Sequence, residues 1–114
     1  MQEATDAVVV YITVPSAEEA ATLAHTLVAE RLAACVNRLP VESVYHWQGA
    51  VEAAAEVLLI VKTRRALLDA LAARVRALHS YTVPEIIALP LVAGWPPYLE
   101  WLVAETAPPA EPPH

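Results

Sequence analysis

A chain of 114 residues has room for one domain, and 57% of it is hydrophobic, above the usual ~45–50% and more apolar surface than one small core needs. The net charge of -6 excludes bulk binding along a phosphate backbone, so no nucleic-acid partner is expected. The one cysteine, Cys35, excludes an internal disulfide. The apolar runs 8–14 and 57–61 fall far short of the ~20 residues of a membrane span, and the opening MQEATDA lacks a basic signal-peptide start. The expected location is therefore cytoplasmic, without membrane contact.

Residues 1–6 are polar and expected to fray. VVVYITV at 8–14 predicts a buried strand, stopped by Pro15. Ser16-Ala17-Glu18-Glu19 is a capping box that opens a helix running to about Arg31, with Ala20, Leu23, Ala24, Leu27 and Val28 on its inward face. A long β-hairpin follows over residues 34–63, turning at Gln48-Gly49, where glycine suits the second corner of a tight turn. An arm of about fourteen residues at ~3.3 Å each reaches roughly 46 Å. A compact domain of this length has a diameter of only roughly 34 Å. The hairpin should overhang its own domain, and overhanging strands invite pairing with another chain.

Thr63 is placed to cap a second helix from Arg64 to about His79, with Leu67, Leu68, Leu71, Val75 and Leu78 as its core stripe. SYTVPE reads as a loop, residues 85–91 as a short strand, Gly94-Trp95-Pro96-Pro97 as a turn, and residues 98–105 as a last helix starting after prolines. The domain is expected to span 1–106, and APPAEPPH at 107–114 to form a disordered proline-rich tail.

The order βαββαβ plus a terminal helix predicts an α+β, ferredoxin-like sandwich with sheet order 4-1-3-2. Pro40 and Pro90 then fall on the two edge strands, where proline is tolerated, and the central strands carry none. Those central strands are apolar on both faces, whereas the helices cover only one. A second subunit is the simplest cover for the other.

The motifs ITVPS at 12–16, ERLAACVN at 30–37, SVYHWQG at 43–49, the spaced Glu56, Leu59 and Lys62-Thr63, HSYTVPEI at 79–86 and YLEW at 98–101 stand in that order. Together they resemble the CutA family, the divalent-cation tolerance proteins, over about residues 7–106. The resemblance implies a homotrimer assembled through the long hairpins, a role in the response to metal ions, and binding of Cu(II) or another divalent cation. It implies no enzyme, since no reaction is established for the family. The residues agree: Gly49 and Gly94 cannot make a phosphate loop, and no activated Ser or Cys motif is present.

His79, at the junction of the second helix and the HSYTVPEI loop, is the leading metal candidate, an imidazole suited to Cu or Zn. A helix C-terminus also favours a histidine through its dipole. His25, His46 and His114 repeat at no metal-ligand spacing. Some copper-linked members carry a cysteine in the first strand and paired histidines before the loop, where this chain has Ile12 and Leu78. Cys35, between small apolar residues, reads as structural.

If Trp47 pairs with Ala50, then Tyr45 pairs with Glu52 and Val41 with Glu56. Tyr45, Trp47, Glu56 and Lys62 then share one sheet face. The bland reading of Glu56 and Lys62 is an intersubunit salt bridge. The sharper one is an intersubunit ligand cleft completed by His79, Tyr81 and Glu85, as the resemblance implies. An alternative role follows from that cleft: a regulatory module, similar in fold to the PII proteins, that binds a small molecule. Tyr98 and Trp101 fall on one helical face near Trp95 and read as packing.

Overall fold

A computed structural model of the chain describes residues 1–108. The elements run β1 (Gln2–Glu3), β2 (Ala7–Val14), α1 (Ala17–Ala29), β3 (Cys35–Trp47), β4 (Ala50–Arg64), a 3-10 turn (Arg65–Leu67), α2 (Leu68–Leu78), β5 (Ile86–Pro90), β6 (Ala93–Gly94) and α3 (Pro96–Thr106). Four strands make an antiparallel sheet in the order β3-β4-β2-β5, which is the expected ferredoxin-like order. Pro40 and Pro90 lie on its two edge strands.

The hairpin turns through Gln48 (φ 49°) and Gly49 (φ 80°), both left-handed, as a two-residue hairpin turn of the right twist requires. From Cys35↔Lys62 to Trp47↔Ala50 the register runs without a bulge, so Pro40 does not shift it. β2 pairs with β4 only as far as Val14↔Val57. From Glu56 to the tip, β4 has β3 as its sole strand neighbour, and the hairpin projects. The domain is correspondingly elongated, 56 × 36 × 21 Å, with a radius of gyration of 15.6 Å against ~13 Å for a compact chain of this length.

Alternation decides the two faces. Val8, Val10, Ile12 and Val14 of β2, with Leu59 and Val61 of β4, turn inward under α1 and α2. There they meet Ala20, Leu23, Leu27, Leu71 and Val75 in one buried core. Val9, Tyr11, Leu58 and Ile60 turn to the opposite face, with Ile87 and Leu89 beside them on β5, and these are only half-buried or exposed. α3 packs Leu99 and Leu102 against Ala4, Ala7 and Ala34 at the end of the sheet remote from the hairpin tip. Gly94 permits that approach, because a Cβ there would lie 2.6 Å from Leu99 Cδ2.

Four expectations need correction. Residues 1–6 do not simply fray: Gln2 and Glu3 pair with Gly94 and Ala93, and the Ala4 N–H donates to the Val92 carbonyl at 3.3 Å. Thr63 caps no helix. It lies within β4 and donates its hydroxyl to the Leu32 carbonyl at 2.7 Å, so α2 begins after a 3-10 turn. Val28 is 42% exposed, at the outer margin of the α1 stripe. The Tyr98–Trp101 ring pair, with centroids 5.6 Å apart, is left 38% and 42% exposed, so the packing expected of it is incomplete within the subunit. Of the expected tail, residues 109–114 lie outside the described residues.

Candidate functional site

Where β2 stops at Val14, the loop after α2 moves in beside the projecting hairpin. The space between them is a cleft of about 720 Å³. Its walls include Tyr45 and Trp47 from β3, Glu56 from β4, Thr13 from β2, and Tyr81 and Glu85 from the loop. Five of the residues expected at a ligand cleft are thus brought together, and His79 lies outside the lining. Lys62 is not among them. It shares a sheet face with Glu56, but six residues along a strand amount to ~20 Å, so parity places it on the same face without bringing it near. Lys62 instead lies opposite Val9 and Cys35 at the other end of the sheet.

Glu56 is only 7% exposed. The Tyr81 hydroxyl donates to its Oε2 at 3.1 Å, and among the described residues nothing engages Oε1. No cationic side chain pairs with this carboxylate among the described residues. The Tyr81 phenol is pushed up to about 12, first by burial of its hydroxyl and then by the Glu56 carboxylate it bonds. A phenol with that titration stays protonated, and stays a donor to Glu56, throughout the neutral range.

His79 sits behind this pair with a wholly buried side chain. Its Nε2 lies 2.8 Å from the Thr13 carbonyl, which can only accept, so Nε2 carries the proton. Its Nδ1 accepts the Tyr81 N–H at 3.0 Å. Both ring nitrogens are spent on holding the loop against β2, and the rings of His79 and Tyr81 lie 5.0 Å apart. For His79 to ligate a metal, Tyr81 would have to release Nδ1. Among the described residues no group of three or more His, Cys, Asp or Glu is placed to hold an ion.

Glu19 is a contributor that the sequence reading missed. Ser16 caps α1 as expected, accepting the Glu19 N–H at 3.1 Å. The Glu19 carboxylate does not complete the capping box. It accepts the Ser80 N–H at 3.3 Å and stands 3.7 Å from His79 Nδ1. The start of α1 is thereby tied to the loop that carries Tyr81. Thr13 and Ser43 add hydroxyls to the cleft wall. Ser43 was legible from its parity with Tyr45, whereas Thr13 required knowing that the loop closes over the end of β2.

The sandwich, with a cleft of oxygen donors and aromatic rings beside a projecting hairpin, defines a ferredoxin-like protein with one candidate binding site among the described residues. The profile of the CutA1 divalent ion tolerance proteins matches residues 8–105, and the chain belongs to that family. It is 55% identical over 100 residues to "Protein CutA 1, chloroplastic" of Oryza sativa subsp. japonica, covering 87% of this chain and 56% of that protein. To "Divalent-cation tolerance protein CutA" of Thermus thermophilus it is 56% identical over 99 residues, covering 86% of this chain and 96% of the relative. The structure of the Archaeoglobus fulgidus "Periplasmic divalent cation tolerance protein CutA" superposes with a TM-score of 0.87 at 42% identity, over 89% of this chain and 99% of that one. The chain thus spans little more than half of the rice relative and nearly all of the bacterial one. No described helix is long and apolar enough to cross a membrane.

Proposed function

We propose that this chain works in the cytoplasm as a homotrimer that binds Cu(II) or another divalent cation, and that the ion enters the cleft at Glu56. The role is binding and not turnover. The observation that carries the reading is the Glu56 carboxylate, 7% exposed, in the cleft wall and engaged among the described residues by a neutral phenol alone. A buried carboxylate without a cationic partner favours a cation. Glu85 supplies a second carboxylate in the same cleft, and Thr13 and Ser43 supply hydroxyls. Oxygen donors of this kind suit hard and borderline divalent ions. One subunit offers too few of them for a closed shell, so the reading needs a neighbour. The uncovered apolar sheet face and the projecting hairpin support that assembly, and the relationship to the CutA family supports three copies.

Calorimetric titration of the tag-free oligomer with Cu(II), beside Glu56→Gln and His79→Ala, tests the reading. Saturable binding lost in Glu56→Gln supports the cleft. Loss confined to His79→Ala would move the ion to the loop, with Tyr81 releasing Nδ1. Weak, non-saturating binding by the wild type would end the metal reading.

A further inference from the structure

We propose that the cleft also takes a small organic ammonium ion, held among the rings of Tyr45, Trp47 and Tyr81 and neutralised by Glu56. The inference rests on reading the cleft as a cation site and names a second ligand class for it.

The composition of the wall is the starting point. Three aromatic side chains line one cavity of about 720 Å³, and each is partly open to it, Tyr81 at 37%, Tyr45 at 40% and Trp47 at 57% exposure. Among the described residues no Lys, Arg or His lines it. The two charged residues in the wall, Glu56 and Glu85, are both acidic. Aromatic faces attract cations through the ring quadrupole within ~6 Å of the centroid, and three rings about one space are the arrangement that holds quaternary and substituted ammonium groups. A volume in the range of ~300–1,000 Å³ fits an organic ligand better than a bare ion.

The ligand demands of the two cation types also differ. A divalent metal must exchange its hydration shell for several donors at ~2.0–2.6 Å, and one subunit lacks a group of three ionisable ligands among the described residues. An alkylammonium is weakly hydrated and carries one charge. A single carboxylate balances it, and the rings supply the rest of the contact. Glu56 is that carboxylate: it is 7% exposed, its Oε2 is fixed by Tyr81, and Oε1 is unclaimed among the described residues. Beyond the Tyr45 hydroxyl, the metal reading leaves the ring faces of Tyr45 and Trp47 without a task. The ammonium reading gives them one.

The test is calorimetric titration of the intact oligomer with tetramethylammonium chloride, with choline chloride, and with the uncharged isostere of choline in which carbon replaces the quaternary nitrogen. Both cations should bind saturably and the isostere at least about tenfold more weakly. Glu56→Gln and Trp47→Leu should each weaken the cations by at least about tenfold, with the oligomer intact by sedimentation. The ratio of choline to its isostere is read on the wild type, so a variant that fails to assemble does not decide the matter. Equal binding of choline and the isostere would make the cleft merely apolar and overturn the proposal. Absence of binding would overturn it, and so would binding untouched in both assembled variants. Cu(II) binding without ammonium binding would sink this inference and leave the proposed function standing. Loss of both would remove the cleft as a cation site.

Discussion

The two ends of strand β4 are finished differently. At its base, Thr63 is wholly buried and donates to the Leu32 carbonyl, and the Lys62 carbonyl accepts the Ala34 N–H at 2.9 Å. Arg64 donates from Nε to the Thr106 hydroxyl at 2.8 Å and from Nη2 to the Thr106 carbonyl at 3.1 Å, with Asp6 at 3.7 Å. Toward the tip, Glu56 holds a single hydrogen bond, from Tyr81, and Val44 and Val51 stand 73% and 67% exposed. The same strand is complete within its own subunit at one end and incomplete at the other. Apolar content does not separate the ends, since alanine and valine dominate β4 toward the tip and valine, leucine and isoleucine toward the base. Cover separates them: β2 and the helices lie over one end and stop short of the other.

The largest expected effect comes from breaking the covered end. Leu59→Ala empties a site that is 0% exposed between both helices and should cost about 2–5 kcal/mol. The matching truncation at the tip, Val51→Ala, should move subunit stability by no more than about 0.5 kcal/mol. Urea unfolding of both variants measures the contrast, and equal losses would show that the tip is as well supported as the base. Arg64→Ala should come next, at about 1.5–3 kcal/mol, because it removes charge-assisted bonds that fasten α3 to the sheet. Its loss should appear as early hydrogen exchange confined to α3. Gly94→Ala should cost less, about 1 kcal/mol, since the new Cβ meets the Leu99 side chain at 2.6 Å and that side chain can turn partly aside. Thermal melting measures it, and no change would mean that α3 is looser against the sheet than its packing indicates.

The same contrast separates what was legible in the sequence from what was not. The hairpin, its turn and its register were legible, because period-two alternation and one glycine at the turn fix them locally, and no bulge at Pro40 intervenes. With the register came the shared face of Tyr45, Trp47 and Glu56. Parity says nothing of distance, and grouping Lys62 with Glu56 ignored the length of strand between them. The inward helix stripes were legible except at Val28, on the margin of the α1 stripe. Pairings across the chain were not legible. Gln2 and Glu3 meet Ala93 and Gly94 through two-residue strands too short to leave a pattern. Glu19 had a plausible local partner in its capping box, which concealed its bond to Ser80. His79 stood out as a lone histidine in a loop, and no sequence feature told that a carbonyl and an amide would occupy both of its nitrogens.

A smaller effect than that of Leu59, Arg64 or Gly94 concerns the Tyr81–Glu56 bond, which closes the cleft among the described residues. Tyr81→Phe removes the donor to Glu56 and should cost no more than about 1 kcal/mol near neutrality, the ring being partly open to solvent. Its signature lies in the pH dependence. The Tyr81 phenol titrates at about 12 in the fold against its ordinary 10.0, raised by burial and by Glu56, so the folded chain holds that proton more tightly than the unfolded one. The corresponding stability is fully present below pH 10, declines as pH rises, and is lost as pH passes through 12. Tyr98 is raised as well, by burial and then by Cys35, and contributes in the same direction. Tyr81→Phe should therefore flatten the alkaline decline in part, with the remainder left to Tyr98. Tyrosinate absorbance recorded beside unfolding curves across this range separates the two. If Tyr81→Phe leaves the alkaline slope unchanged, the phenol does not hold Glu56 in solution, and the loop stands away from the hairpin until a neighbour or a ligand brings it in.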